Sequence, residues 1–399
     1  MQETLPDPTI VEDEEGLARL LEDLEGVDEV AVDTEADSFF SYREKVCLIQ
    51  ITAGGRDYLV DPLADVDIAP LGEVLADPRR IKVFHDGEYD VLLFKREYGF
   101  EFANLFDTRI AVATLGSKSP GLANVLDERF DVQLDKSLQR SDWGARPLSV
   151  RQIAYARLDT HYLLPLMAEL KAELEQSGRA AIVEGECARL EEMDAPAVAF
   201  RPDDWVRVKG ARQLAPPQRR TLRELCCLRD RLAERSDLPP FKVMGNVTLI
   251  ALATLTPSDE HGLAEMPGLS WRQVRRFGAE LLDTLKAARR LDPIARMPEL
   301  PSRDGTAGLS VEALELFDRL KTWRKKRAHE EDFDSSLVLN RHALARVVRE
   351  CPESVEALSR IRGVVAWQVE RYGDSLVEVV RTWQSDLSNG RIDTRRRRR

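Results

Sequence analysis

The chain has 399 residues with 43 % apolar side chains, and its 58 Lys and Arg stand against 70 Asp and Glu, a formal net charge of −12. That length suits two or three domains with packed cores, and no apolar run approaches the ~20 residues of a membrane-spanning helix. No basic and apolar leader opens the chain, and five cysteines without a CxxC pair, beside five histidines, exclude a disulfide framework and a Cys/His zinc site, so a reducing, cytoplasmic setting is expected.

The charge is unevenly divided. Residues 1–200 hold 20 Lys and Arg against 41 Asp and Glu, whereas residues 201–399 hold 38 against 29. An acidic unit joined to a basic one hints at a polyanionic partner, although Arg391 and Arg395 to Arg399 supply much of the basic excess.

In chain order, Leu17, Leu20, Leu21 and Leu24 at helical spacing predict an acidic amphipathic helix over 11–24. Runs at 30–33, 46–52, 57–60 and 81–84 predict strands. From there to about residue 190 the patterns are helical, so the first half reads as a mixed α/β layer structure, with one domain expected over 1–193. A Pro-rich irregular stretch predicts a linker over 194–213.

Beyond it lies an internal repeat. A shift of 95 residues places Leu225 on Leu320, Arg229 on Arg324, Leu249 on Leu344 and Pro257 on Pro352, and the segment Gly268 to Gly278 on Gly363 to Gly373. Two related helical modules are therefore expected at 214–292 and 309–385, with a linker over 293–308 and a basic tail over 386–399. Basic residues recur on their first helices, at Arg219, Arg220, Arg223, Arg229, Arg231 and Arg235, and at Arg319, Lys321, Arg324, Lys325, Lys326 and Arg327. Such a face suits phosphate contacts that are blind to sequence and sensitive to salt. The second copy lacks the Pro239-Pro240-Phe241 segment of the first and has Asp334-Ser335-Ser336 instead.

The chemistry concentrates in the first domain. Asp33 and Glu35 stand two residues apart on a strand and so share a face, where hard divalent cations such as Mg²⁺ find oxygen ligands. The strand ending at Phe84-His85 runs into a helix carrying Asp86, Glu88 and Asp90. Tyr155 and Asp159 lie one helical turn apart.

The order Asp33-x-Glu35, Asp90, Tyr155-x₃-Asp159 resembles the three motifs of the DEDD exonuclease superfamily in its tyrosine-bearing branch. Glu44-Lys-Val-Cys-Leu-Ile-Gln-Ile51, Phe106-Asp-Thr-Arg-Ile110, Leu134-Asp-Lys-Ser-Leu-Gln-Arg-Ser-Asp-Trp143, Ala145-Arg-Pro-Leu148 and Gln152-Ile-Ala-Tyr-Ala156 are similar to the ribonuclease D family, and the repeats resemble HRDC domains. The resemblance implies a ribonuclease H-like α/β (α+β) exonuclease domain with a mixed central sheet, followed by two all-α HRDC-like domains.

It also implies a 3′→5′ exoribonuclease using two divalent metal ions, Mg²⁺ or Mn²⁺. The resemblance further implies trimming of tRNA precursors and other small structured RNAs, with release of nucleoside 5′-monophosphates. In this reading Asp33 bridges both ions, Glu35 and Asp159 complete one, Asp90 holds the second, and Tyr155 orients the attacking water. Position 154 is Ala154, where the histidine branch carries its histidine, and Asp86 stands as an alternative ligand to Asp90. Phe39, Phe40 and Tyr42 suit stacking on the terminal bases, against packing at a strand edge. Lys136, Gln139, Arg140, Trp143 and Arg146 suit backbone contacts, and His85 and His161 read as structural. No membrane and no obligate protein partner are implied, and a monomer is expected. A DNA-preferring exonuclease and a catalytically idle RNA-binding adaptor are the competing readings.

Overall fold

A computed structural model describes residues 5–195, 199–298, 306, 308–332 and 334–392. The arginines at 395–399 lie outside the described residues. Among the described residues no helix is long and apolar enough to cross a membrane. The chain forms two compact units, one of Met1–Ala36, Val46–Pro196 and Pro301–Arg399, the other of Asp37–Lys45 and Ala197–Leu300.

The first unit is built on six strands, β1 (Thr9–Val11), β2 (Glu29–Ala36), β3 (Val46–Ala53), β4 (Arg56–Val60), β5 (Ile81–Phe84) and β6 (Leu105–Asp107), in the order β1-β4-β3-β2-β5-β6. The sheet is mixed: β2, β3 and β4 pair antiparallel, while β1 joins β4, β5 joins β2 and β6 joins β5 in parallel. Around it lie α1 (Glu14–Asp23), α2 (Ala69–Ala76), α3 (Glu88–Tyr98), α4 (Thr108–Thr114), α5 (Leu122–Phe130), α6 (Val150–His161), α7 (Leu163–Ser177) and α8 (Ala180–Glu191). Strand β3 is buried along its whole length. Its Ile49 and Ile51 face the main core with Val30, Val32, Leu166 and Leu170, and its Leu48 faces Leu59, Trp143, Tyr155 and Ala156 on the other side. Burial on both faces is why the run from Val46 is nearly continuously apolar rather than alternating. Sequence pattern does not reveal β1 and β6, because three residues are too few to show a period of two.

The two repeats are congruent. Helices α9 (Pro216–Ser236), α10 (Pro240–Val243), α11 (Asn246–Leu255), α12 (Glu260–Ala264) and α13 (Trp271–Ala288) reappear as α14 (Val311–Glu331), α15 (Ser335–Val338), α16 (Arg341–Glu350), α17 (Val355–Ser359) and α18 (Ala366–Ser388). Every boundary is displaced by the 95 residues of the repeat except the last, where α18 runs on. The Arg229 guanidinium donates to the Met244 carbonyl at 3.3 Å, and Arg324 makes the same bond to Leu339 at 2.8 Å.

One boundary needs correction. The expected linker at 194–213 holds two short 3₁₀ turns, Pro202–Arg207 and Ala211–Gln213, whose Trp205, Val208 and Ala211 are buried in the first module's core. Pro202 opens the first of these turns and does not mark a free linker. The second module belongs to the first unit and packs on α8. Its Trp367 lies so close to Gly185 that a Cβ there would come within 2.6 Å of the indole, and Arg362 donates to the Glu192 carbonyl at 2.9 Å.

Candidate active site

Asp33 and Glu35 project from the same face of β2, opposite Gln50 and Leu48 of β3, and the register slips just beyond, between Glu35 and Ala36. A bulge of this kind re-aims the chain at the edge of a site. Asp90 enters from the first turn of α3. The tight passage from β5 into that helix demands Gly87, since a Cβ there would fall 2.6 Å from the Cβ of Phe84. The buried Asp107 carboxylate fixes the same turn by accepting the N–H groups of Asp86 at 3.2 Å, Gly87 at 2.8 Å, Arg109 at 2.9 Å and Ile110 at 3.1 Å. Thr34, between the two strand acids, donates its hydroxyl to Asp90.

Helix α6 supplies the rest. A capping box of Ser149 and Gln152 starts it, and Tyr155 packs its ring 6.0 Å from that of Trp143. The helix is pinned to the sheet beneath Asp159. Arg157 donates to the Asp57 carboxylate at 3.0 Å, the His161 ring nitrogen lies 2.9 Å from it, and the Thr52 and Thr160 hydroxyls are 2.8 Å apart. Nothing in the sequence pattern singles out Thr34, Thr52 or Asp57. Asp107 lies within the family-like segment Phe106-Asp-Thr-Arg-Ile110, but its pinning role depends on a turn twenty residues away.

Oxygen atoms of Asp33, Glu35 and Asp159 lie within 4.8 Å of one another. Burial, then Asp90, Asp159 and Glu35, hold the Asp33 carboxyl well above its ordinary range. Glu35 is pushed up to about 9 by burial, Asp159 and Asp90. Asp159 rises to about 8, chiefly by burial, with the Tyr155 hydrogen bond opposing and Asp90 adding. Asp90 rises to about 6, burial outweighing the Thr34 bond. The Tyr155 phenol is also raised, by burial first and then by Asp159, Glu35 and Asp33. No cationic side chain is among the main influences on these four acids. A crowded, buried, all-oxygen donor set whose members suppress each other's ionisation fits hard divalent cations.

The remaining expected residues divide. Asp86 lies with its side chain mostly exposed, paired to Arg109 at 3.4 Å, and does not join the cluster. His85 sits 2.9 Å from the Thr108 hydroxyl and is lowered to about 4 by burial, as a structural histidine would be. Lys136 and Gln139 are exposed on a short 3₁₀ turn, Lys136–Arg140. Arg146 does not suit RNA contact. Its five N–H donors are committed to both oxygens of Asp61 and to the carbonyls of Trp143, Ala145 and Cys47, and Trp143 is fully buried.

In the second unit, the Tyr42 hydroxyl donates to Asp230 at 2.9 Å and its backbone N–H to Asp237 at 3.1 Å. Tyr42 thus anchors its loop and is not a free stacking ring. Phe39 meets Phe241 edge-on at 6.3 Å, and Lys242 sits 3.9 Å over the Phe40 ring. The expected phosphate face of the modules is largely consumed internally. Arg219 and Arg220 donate to the Ala295 and Asp292 carbonyls, Arg235 pairs with Glu280, and Arg319 pairs with Glu315 and Asp386. Sequence spacing reports which residues share a helix face, but not which of them the neighbouring helices neutralise.

A family model described as 3′-5′ exonuclease matches residues 8–175, and the HRDC domain model matches 218–285 and 313–380. Ribonuclease D of Pseudomonas paraeruginosa is 31 % identical over 390 residues, covering 94 % of this chain and 98 % of that protein. Ribonuclease D of Escherichia coli K12 is 34 % identical over 72 % of this chain and 78 % of its own length. The crystal structure of Escherichia coli RNase D, described as an exoribonuclease involved in structured RNA processing, superposes with a TM-score of 0.67 at 28 % identity, covering 94 % of this chain and 99 % of that one.

Proposed function

Because the chain belongs to the ribonuclease D family of 3′→5′ exoribonucleases, we propose that Asp33, Glu35, Asp90 and Asp159 hold two divalent cations, Mg²⁺ or Mn²⁺, for trimming the 3′ ends of tRNA precursors and other small structured RNAs. The observation that carries the metal assignment is the convergence of three carboxylates within 4.8 Å, with Asp90 tied to the same strand through Thr34. Bound there, the ions would supply Lewis acidity for phosphodiester hydrolysis.

The protein's own groups do the positioning. Asp33, Glu35 and Asp159 would hold one cation, and Asp90 with Asp33 the other. The Tyr155 hydroxyl, held by Asp159 and kept protonated by its surroundings, orients the attacking water as a hydrogen-bonding group. A phenol raised above its ordinary value does not act as a base at neutral pH. The phosphorus–O3′ bond breaks, the departing chain keeps its 3′ hydroxyl, and a nucleoside 5′-monophosphate leaves. Lys136 and Gln139 are assigned to the RNA backbone. The involvement of the Escherichia coli enzyme in structured RNA processing supports structured RNA as the substrate class.

A tRNA precursor with a 3′ extension, incubated with the full chain, is expected to shorten stepwise in Mg²⁺ and to remain intact in EDTA, while a matched DNA oligonucleotide reacts slowly. Equal trimming in EDTA rejects the metal assignment, and a preference for DNA rejects the substrate class. Tyr155→Phe is expected to slow single-turnover hydrolysis roughly 10- to 100-fold, the usual cost of losing a group that orients the first coordination shell, with the Mg²⁺ requirement unchanged. An unaltered chemical step removes Tyr155 from the mechanism.

A further inference from the structure

Among the described residues, Gln50 is fully buried, and neither polar atom of its amide has a hydrogen-bond partner. It lies in the middle of β3, within the family-like segment from Glu44 to Ile51, and nothing in the sequence pattern gives it a role. Buried polar groups are nearly always satisfied, because an unpaired amide gives up its water and gains nothing in return. A polar side chain kept there calls for a reason other than stability.

The register of the sheet supplies one. Gln50 stands directly opposite Asp33 on β2 and Leu59 on β4, with Leu48 and Thr52 two residues away along its own strand. Opposed residues of an antiparallel pair share a face, with Cβ atoms about 5 Å apart. Gln50 therefore extends on the side of the sheet that carries Asp33. Three of its four neighbours on that face offer the amide nothing. Leu48 and Leu59 are apolar and pack with Trp143, Tyr155 and Ala156. The Thr52 hydroxyl donates to Asp57 at 2.8 Å and lies 2.8 Å from the Thr160 hydroxyl. Diagonally across, the Asp57 carboxylate is itself taken by Arg157 and His161. The remaining neighbour is Asp33, one of the three acids within 4.8 Å of one another. An ionised carboxylate accepts at about four positions and so has room for an amide donor beside a cation.

We propose that Gln50 is a positioning residue for hydrolysis: its Nε2 donates to the Asp33 carboxylate when that group is ionised against divalent cations, and fixes how Asp33 presents its oxygens. The role rests on the cation reading above. Carboxylates that bind metal are themselves held by hydrogen bonds from neighbouring groups, and Thr34 already holds Asp90 in this way. Opposite signs follow for a single substitution. A methionine of similar length removes the unpaired amide, which favours the cation-free fold, and removes the donor, which disfavours cation binding.

Gln50→Met and the branched Gln50→Leu, made in the full chain, are expected to melt about 2 °C or more above the wild type in EDTA. Both are expected to take up Mn²⁺ roughly 10- to 100-fold more weakly. That uptake is measured without RNA, from the electron paramagnetic resonance signal of the free ion. In trimming assays the Mg²⁺ concentration giving half the maximal rate is expected to rise, while KM for RNA at saturating Mg²⁺ stays unchanged. Mn²⁺ affinity that is unaltered in both variants overturns the proposal. So does a lower melting temperature of both in EDTA, which marks Gln50 as a packing residue of the sheet. A wild type that takes up no Mn²⁺ rejects the cation assignment and this role with it. A wild type that binds Mn²⁺ beside variants that bind it equally well keeps the catalytic reading and loses only Gln50.

Discussion

Asp33→Ala is expected to abolish trimming of a 3′-extended tRNA precursor while leaving the fold in place. Asp33 is the acid whose carboxyl is influenced by all three others, Asp90, Asp159 and Glu35, so its removal disturbs both proposed cation positions at once. Losing a group that merely orients a metal ligand costs about 10- to 100-fold, and losing the shared ligand should cost more than the upper figure. The same change relieves a buried cluster of like charges, so the metal-free variant should melt no lower than the wild type above pH 7, and higher if repulsion dominates. Circular dichroism and a gel assay on one preparation separate the two effects. Trimming at the wild-type rate, in protein free of host nuclease, places the chemistry elsewhere.

A second large effect should appear in the pH dependence of stability. Asp90, Asp159 and Glu35 are raised to about 6, about 8 and about 9 in the folded protein, above the ordinary carboxylate values near 4. The folded chain therefore holds these protons more tightly than the unfolded one. Stability from this source is fully present below the ordinary carboxylate range and is lost as pH rises through 6, 8 and 9. In EDTA the melting temperature should fall across that interval. Divalent cations, which favour the ionised acids, should reverse the trend and release protons on binding, so the difference in melting temperature between Mg²⁺ and EDTA should widen from pH 6 to pH 9. A difference that stays flat with pH contradicts the assignment of these carboxyls as cation ligands. Comparing the two conditions at each pH also cancels groups other than the four acids, such as His85, whose buried neutral ring is lost to protonation only on the acid side.

Much of this organisation is legible in the sequence because it is periodic or local. The 95-residue repeat places all five helix starts of the second module from those of the first. The i, i+2 spacing of Asp33 and Glu35 and the i, i+4 spacing of Tyr155 and Asp159 are geometric consequences of strand and helix, so each pair can be set on one face without coordinates. Short elements are less visible: β1 and β6 are three residues each, and Trp205 lies in a Pro-rich stretch that reads as a linker but packs as core.

What the amino-acid order determined by itself was the set of chemical groups: four acids and a phenol in a recognisable order, two copies of one helical module, and a basic second half. Tertiary structure alone decided how those groups are used. Asp90 reaches the cluster through Thr34, and Asp86, four residues earlier, turns to Arg109. Arg146 gives all its donors to Asp61 and nearby carbonyls, and Tyr42 gives its hydroxyl to Asp230. The physical reason is that a hydrogen-bonding group is consumed by whichever partner the fold brings within about 3 Å, and most of these partners lie 23 to 188 residues away along the chain. Spacing can place a side chain on a face, but only the packed chain shows whether that face still has a free charge or ring to offer.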